Sequence, residues 1–317
     1  MRVLAAPDKF RGTLSARDAA AAIALGARRA GWECVELPLA DGGEGTLDVL
    51  GGGNRTTVVT GPLGAPVEAA WRLENGVALI EAALACGLTL AGGPMGNDPL
   101  RATSRGVGEL IAAAAAAGAE RVVAAVGGVA STDGGAGAVD ALGGRLDVAV
   151  DVACDVGARF LDAADVFAPQ KGATPEQVAL LRERLASLGV PDQPGAGAAG
   201  ALAGGLAAIG ARLVSGFNVV ADELGLDERL AEADLVVTGE GRVDATSITG
   251  KVVGGVLGRA ANAGTPTLVV AGDVVTDAPL DAVSLVALCG RERALADTAA
   301  CIAEVVEKEL RARQRTA

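Results

Sequence analysis

Not one histidine occurs among the 317 residues. That absence removes Ser-His-Asp and Cys-His machinery, histidine-built zinc sites and every imidazole acid or base, so carboxylate, Lys, Arg, Cys and Ser side chains must carry any chemistry. Tyrosine is missing too, and only 2% of the chain is aromatic. Bases of a single-stranded nucleic acid would find no stacking platform here. Basic residues are outnumbered 27 to 39 by acidic ones, a net charge of −12, so the footprint expected of a polyanion binder is lacking. An anionic metabolite needs only a local positive pocket. No apolar run of about 18–20 residues escapes glycine clusters and charge, and Met1–Pro7 is too brief for a signal-peptide core. Five cysteines, an odd number without C-x-x-C spacing, read as reduced thiols of a cytoplasmic protein.

What the chain has in quantity is small aliphatic residues and 46 glycines. Short Val/Leu/Ala runs that stop at Gly, Asp or Pro alternate with Ala-rich helical stretches, the βα rhythm of a parallel, two-sided α/β protein. Strands are expected at 3–6, 34–37, 122–126, 235–237 and 267–271, and a helix over 15–30 with Ser15 as N-cap. From Thr56 to Ala82 the texture changes to three strands separated by Gly-Pro-Leu-Gly and Glu-Asn-Gly, the spacing of an antiparallel meander. A meander inside a βα chain predicts a second α/β domain: residues 51–221 inserted into a domain made of 1–50 and 222–317. The Gly/Ala-rich stretch 194–206 reads either as a turn and tightly packed helix or as a phosphate-cradling turn.

Three segments set carboxylates among glycines: Asp41-Gly-Gly-Glu-Gly-Thr46, Thr132-Asp-Gly-Gly-Ala-Gly137 and Thr238-Gly-Glu-Gly-Arg-Val-Asp244. Glycine lets a backbone approach a ligand closely, and carboxylates tolerate phosphate only beside Mg²⁺ or a cationic side chain. The combination points to metal-assisted phosphoryl transfer. Asp8, Lys9 and Arg11 follow the first strand, where α/β proteins place ligands. Asp41 and Glu44 can face one mouth if a helix begins near Glu44. Ser104 and Arg105 open an Ala-rich helix suited to an anion, and Asp133 is a candidate base, ahead of Asp41. Glu240, Arg242, Asp244 and Lys251 can hold phosphates and their magnesium. G-x-x-x-x-G-K-[ST] does not occur, so the ATP site is not of the Walker type.

In this order, Ala6-Pro-Asp-Lys-Phe-Arg-Gly-Thr-Leu-Ser15, Ala40-Asp-Gly-Gly-Glu-Gly-Thr46, Thr103-Ser-Arg-Gly-Val-Gly-Glu-Leu110, Ala130-Ser-Thr-Asp-Gly-Gly-Ala-Gly137, Ala153-Cys-Asp155, Phe167-Ala-Pro-Gln-Lys-Gly-Ala-Thr174 and Thr238-Gly-Glu-Gly-Arg-Val-Asp244 resemble the glycerate kinase family that lacks both the Walker loop and the sugar-kinase fold. The resemblance implies a flavodoxin-like domain interrupted by a second α/β domain, with the site between them. It also implies ATP- and Mg²⁺-dependent phosphorylation of D-glycerate. It adds Asp155 and Lys171 to the residues near the site without fixing their individual roles; within that set Glu44, Asp155, Glu240 and Asp244 are read as metal ligands. Asp8, Ser104, Arg105, Lys171, Arg242 and Lys251 stand as substrate or nucleotide contacts, and Asp41, Asp133, Lys9 and Arg11 as catalytic groups. The partners it implies are D-glycerate and ATP, with a homodimer allowed. The chain departs from the family in a shortened stretch between Ala141 and Cys154, in Val156-Gly-Ala-Arg159 where Asn-Pro-Leu is usual, and in Arg11 where Lys is usual. The alternative is a diverged, non-catalytic member that binds a small hydroxy acid or nucleotide as a sensor.

Overall fold

The computed structural model describes residues 1–10, 12–155, 157–245, 247, 251–275, 278 and 280–315. Among them eleven strands follow one another: β1 (Arg2–Ala5), β2 (Glu33–Glu36), β3 (Arg55–Thr60), β4 (Pro66–Glu74), β5 (Val77–Glu81), β6 (Arg121–Ala125), β7 (Ala149–Ala153), β8 (Arg212–Val214), β9 (Leu235–Val243), β10 (Thr267–Val274) and β11 (Val283–Ser284). The chain divides into two compact units, Met1–Asp41 with Phe217–Ala317, and Gly42–Gly216. The breaks fall after residues 41 and 216, where the sequence suggested 50 and 221.

The first unit is built on an all-parallel sheet in the order β11-β10-β9-β1-β2. Numbered by appearance within that sheet this is 5-4-3-1-2, the flavodoxin-like doubly wound order, which reverses direction between β1 and β9. Its central strands are buried on both faces, so Val3-Leu4-Ala5, Leu235-Val236-Val237 and Leu268–Ala271 are continuous apolar runs. The helix Ala16–Arg29 begins as expected, with Ser15 Oγ accepting from Asp18 N at 3.1 Å. It lies against the helix Thr298–Gln314 so closely that a Cβ at Gly26 would come 2.4 Å from Ala303 O. Close helix contact through Ala and Gly lets a chain so poor in aromatics fill its core.

The second unit holds a mixed sheet in the order β3-β4-β5-β6-β7-β8, antiparallel from β3 to β5 and parallel from β5 to β8. Asn75 (φ 49°) and Gly76 (φ 78°) are both left-handed, the two-residue turn that the Asn-Gly pair encodes between β4 and β5. The stretch from Pro194 becomes a turn and the helix Leu202–Ala208, where added Cβ atoms would lie 2.4 Å from the Phe160 ring at Gly204 and 2.2 Å from Gly134 O at Gly205. Close packing is what those glycines serve. All five cysteines are free thiols, and no helix among the described residues is long and apolar enough to cross a membrane.

The parallel part of this sheet carries a buried carboxylate. Asp151 on β7 accepts from Arg121 Nε on β6 at 2.6 Å and from Arg212 Nε and Nη2 on β8 at 2.7 and 2.9 Å. Burial alone would raise its pKa, but the two guanidinium groups outweigh that and hold it below the usual carboxylate range. A lowered pKa gives stability that is present above the unfolded value near 4 and is lost as pH falls through the folded one. Asp151→Asn should therefore cost about 1–2 kcal/mol at pH 7, screened because both arginines reach solvent, and progressively less below about pH 4. Urea unfolding of the variant and parent at pH 7 and pH 3.5 measures the difference.

Candidate functional site

In the first unit the acids converge where the parallel sheet reverses direction. The ladder continues past β1: Ala6 N donates to Val237 O at 2.8 Å and Asp8 N to Gly239 O at 2.9 Å, while on the other side Leu39 N donates to Pro7 O at 2.9 Å. Asp8 is thereby fixed at the carboxyl end of β1, between the Gly239–Glu240 segment of β9 and the chain that leads from β2 to Asp41. Lys9 Nζ lies 3.5 Å from Asp41 Oδ1 and 4.0 Å from Asp8 Oδ1.

The electrostatics of this corner are those of crowded, half-desolvated acids. Asp8 is 8% exposed, and its carboxyl is pushed up to about 7, chiefly by burial and further by the charges of Asp41 and Glu240, against the pull of Lys9. Glu240 is raised as well, again first by burial and then by Asp244 and Asp41, while Ser247 and Lys251 oppose. Its buried Oε1 has no hydrogen-bond partner. Asp244 N donates to Ser247 Oγ at 3.0 Å, Lys251 precedes the helix Val252–Ala263, and Arg242 is exposed on β9. Arg11 lies outside the described residues. Among those described, no group of three or more Asp, Glu or Cys is gathered tightly enough to hold a metal by itself. A cation still suits this corner, because an orphaned glutamate oxygen and a surplus of negative charge are what one would relieve. Mg²⁺ commonly takes only one or two protein carboxylates and draws its remaining ligands from phosphate and water.

In the second unit the Gly42–Gly45 loop is clasped from behind. Buried Glu81, the last residue of β5, accepts from Gly45 N and Leu47 N, each at 3.0 Å, one on each carboxylate oxygen. Gly43 meets Gly127 so closely that a Cβ there would lie 2.6 Å from Gly43 Cα. Glu44 is exposed on this loop, and the helix begins at Thr46 after left-handed Gly45, later than the start near Glu44 that the sequence suggested. Asp41 ends the first stretch of the first unit, whereas Glu44, three positions on in the motif, belongs to the second, which begins at Gly42.

Asp133 is tied into its own unit by several hydrogen bonds. Its Oδ2 accepts from Ser104 N and Ser104 Oγ at 2.8 Å each and from Gly137 N at 3.2 Å, and its Oδ1 accepts from Gly135 N at 3.2 Å. Three of these donors crowd onto Oδ2 and one meets Oδ1, and the residue ties the start of the helix Arg105–Ala116 to that of Ala136–Ala141. Ser104 does not cap its own helix; its hydroxyl instead accepts from Ala138 N at 3.1 Å. Arg105 pairs with Glu109 at 3.0 Å and Asp140 at 2.5 Å. Asp155 accepts from Gly216 N at 3.0 Å. Lys171 is buried, with Nζ donating to Ser131 O at 2.5 Å. Sequence reasoning missed Glu81, whose only signal was an acid closing an apolar strand, and it also missed the polar residues around Lys171.

A family model described as the glycerate kinase family matches residues 3–149 and 145–314. Over 305 aligned residues the chain is 46% identical to an uncharacterised protein of Mycobacterium bovis, covering 87% of this chain and 80% of that one. The glycerate 2-kinase of Escherichia coli K12 is 37% identical over 330 residues, covering 87% and 86% of the two chains. For the glycerate kinase of Bacillus subtilis the identity is 38% over 331 residues, with the same coverage. A crystal structure from Salmonella typhimurium LT2, itself a glycerate kinase 2 candidate, superposes with a TM-score of 0.81 at 36% identity over 100% of this chain and 99% of that one.

Proposed function

Because the chain belongs to the glycerate kinase family, we propose that it is an ATP-dependent kinase that transfers the γ-phosphoryl group to a hydroxyl of D-glycerate. The observation that carries the chemical part is the set of acids and Lys9 at the switch point of the parallel sheet, where doubly wound proteins take their ligands. In the transfer, the glycerate oxygen attacks phosphorus, the bond to the β-phosphate oxygen breaks, ADP leaves, and the hydroxyl proton passes to a carboxylate. Asp8 fits that last task best. Its carboxyl, raised to about 7, is near the basicity that favours proton acceptance at neutral pH. Asp133 is the weaker choice, since its oxygens already accept four hydrogen bonds.

Lys9 and Lys251 supply positive charge for phosphate oxygens, and Asp41 sets the position of Lys9 through their ion pair. Glu240 and Asp244 would hold the magnesium that accompanies ATP, which on binding neutralises phosphate charge and orients the triphosphate. Most of the acceleration would come from alignment and charge neutralisation, because the transferring phosphoryl group is already electrophilic. The test is a coupled ADP-release assay with MgATP and D-glycerate, with ³¹P NMR of the product to identify the hydroxyl phosphorylated. Acceptor-dependent ADP release with stoichiometric phosphoglycerate is expected. Thermal stabilisation by glycerate or ATP without turnover would reverse the proposal in favour of a binding protein.

A further inference from the structure

Two cysteines that take no part in the chemistry proposed above meet within the first unit. Cys289 is the last residue of the helix Leu285–Cys289, and Cys301 lies in the first turn of the helix Thr298–Gln314. Gly290 makes the corner between them. It ends the first of these helices and opens the helix Arg291–Ala296 at φ 79° and ψ 148°, a conformation that in practice only glycine adopts. The chain turns again at Asp297, whose N donates to Arg293 O at 2.8 Å and whose carbonyl accepts from Cys301 N at 3.1 Å. Two cysteines twelve positions apart are thereby brought side by side, with their thiols hydrogen-bonded to one another.

The two thiols are unequal. Cys301 is fully buried and its Sγ donates to Arg293 O at 3.9 Å, whereas Cys289 is half-buried and open to a small reagent. The Arg293 guanidinium, paired with Glu304 at 3.0 Å, interacts with both sulfurs. Thiol exchange proceeds through a thiolate, which a neighbouring cation favours. Burial raises the Cys301 thiol to about 11, with Cys289 adding to the shift and Arg293 opposing it. Cys289 is therefore the sulfur that meets an oxidant first, and Cys301 the one held ready to resolve the product. The other three cysteines stand elsewhere, on β2, at the end of the helix Ala82–Cys86 and just after β7.

We propose that Cys289 and Cys301 are a reversible oxidation site, closing to a disulfide when the protein meets an oxidised low-molecular-weight thiol such as glutathione disulfide. In the first step the Cys289 thiolate attacks one sulfur of the reagent, whose S–S bond breaks, and one glutathione leaves as its thiolate. In the second, Cys301 gives its proton to water and attacks Cys289 Sγ, so that the mixed disulfide breaks and the second glutathione leaves. Two protein thiols are oxidised and one reagent disulfide is reduced to two thiols, which take up the two protons released. The bond has something to fasten. β11 is an edge strand of two residues, and the helix that carries Cys289 follows it directly. The disulfide staples this thin edge to the helix Thr298–Gln314, which is itself packed tightly on the helix Ala16–Arg29 at Gly26.

The experiment incubates the full chain with glutathione and glutathione disulfide at ratios from reducing to oxidising, blocks the thiols that remain, and counts them by intact mass, with peptide mapping under non-reducing conditions. The parent should lose two of its five thiols, both in a single cross-linked pair holding Cys289 and Cys301. Its oxidised form should melt about 5 °C higher than the reduced one, and dithiothreitol should reverse the rise. Cys289→Ser should keep its other four thiols at the same ratios and melt alike in both states. Cys301→Ala should instead hold glutathione on Cys289, since nothing resolves the first bond; if that buried substitution does not fold, the half-buried serine variant decides the matter. A parent that keeps all five thiols at the most oxidising ratio, retains glutathione on Cys289, or cross-links other cysteines overturns the proposal. A bond between Cys289 and Cys301 that leaves melting unchanged overturns the staple. Neither glycerate nor ATP enters the assay, so its outcome is independent of the kinase proposal.

Discussion

Asp8→Asn is expected to cut turnover by orders of magnitude and at the same time make the protein harder to melt. The side chain is nearly buried, and its carboxyl is raised from 3.8 to about 7 by burial and by the neighbouring charges of Asp41 and Glu240. A raised carboxyl favours folding while protonated, so its contribution is fully present below about pH 4 and is lost as pH rises through about 7. Above that, the folded protein carries a desolvated charge that the unfolded chain carries in water, at a cost on the order of 2–4 kcal/mol. Asparagine keeps an oxygen to accept from Lys9 N, which donates to Asp8 Oδ1 at 2.7 Å, and removes the charge. The variant should melt roughly 5 °C higher at pH 8, with little difference at pH 4. As the proposed proton acceptor it should also lose about 10²–10⁴-fold in kcat. Thermal melts at the two pH values with kcat at saturating substrates test both halves, and a variant that melts lower at pH 8 or keeps kcat within a few fold contradicts the reading.

Gly239→Ala should be the most damaging single methyl in the first unit. Gly239 sits on β9 between Thr238 and Glu240, opposite Val270 of β10. A Cβ there would lie 1.9 Å from Val270 O, with Val270 C at 3.0 Å, and backbone in the middle of a five-stranded sheet cannot step aside. Separating β9 from β10 would break ladder bonds on both and displace Glu240, so a loss above about 4 kcal/mol is expected, seen as aggregation or a large fall in Tm. Gly258 is the control from the same unit. It lies in the helix Val252–Ala263 with nothing within 4 Å of an added Cβ, so Gly258→Ala should stabilise by about 0.5–1 kcal/mol. If the two variants behave alike, the close strand approach is not what Gly239 serves.

These glycines show why the motifs were legible before their reasons were. Glycine beside carboxylate read as room for a ligand. At Gly239, Gly127, Gly200 and Gly205 the space is taken by the chain's own backbone. Sequence flags a position that excludes Cβ without saying what does the excluding. The same holds for Asp133, which any pattern of acids and glycines offers as a base and which the fold uses to fasten two helix starts.

Periodicity and punctuation carried the local architecture. Ser15 as a cap, Asn75-Gly76 as a tight hairpin turn, and the change from βα alternation to a meander after Thr56 all rest on interactions within a few residues, so composition along the chain is enough to specify them. Absences did as much: without histidine and with few aromatics, carboxylates and lysines were the chemistry left, and the order of motifs was enough to place the chain in its family. What only the tertiary structure decided is which polar groups meet. The strand order that sets Asp8 between Asp41 and Glu240, the clasp of Glu81 on Gly45 and Leu47, the capture of Arg105 by Glu109 and Asp140, and the gathering of Asn97, Ser131 and Lys171 each join residues 30 to more than 200 positions apart or depend on how a helix face turns. Such contacts depend on packing the whole sheet and its helices, because burial and charge at a point in space are sums over neighbours that the linear order does not contain.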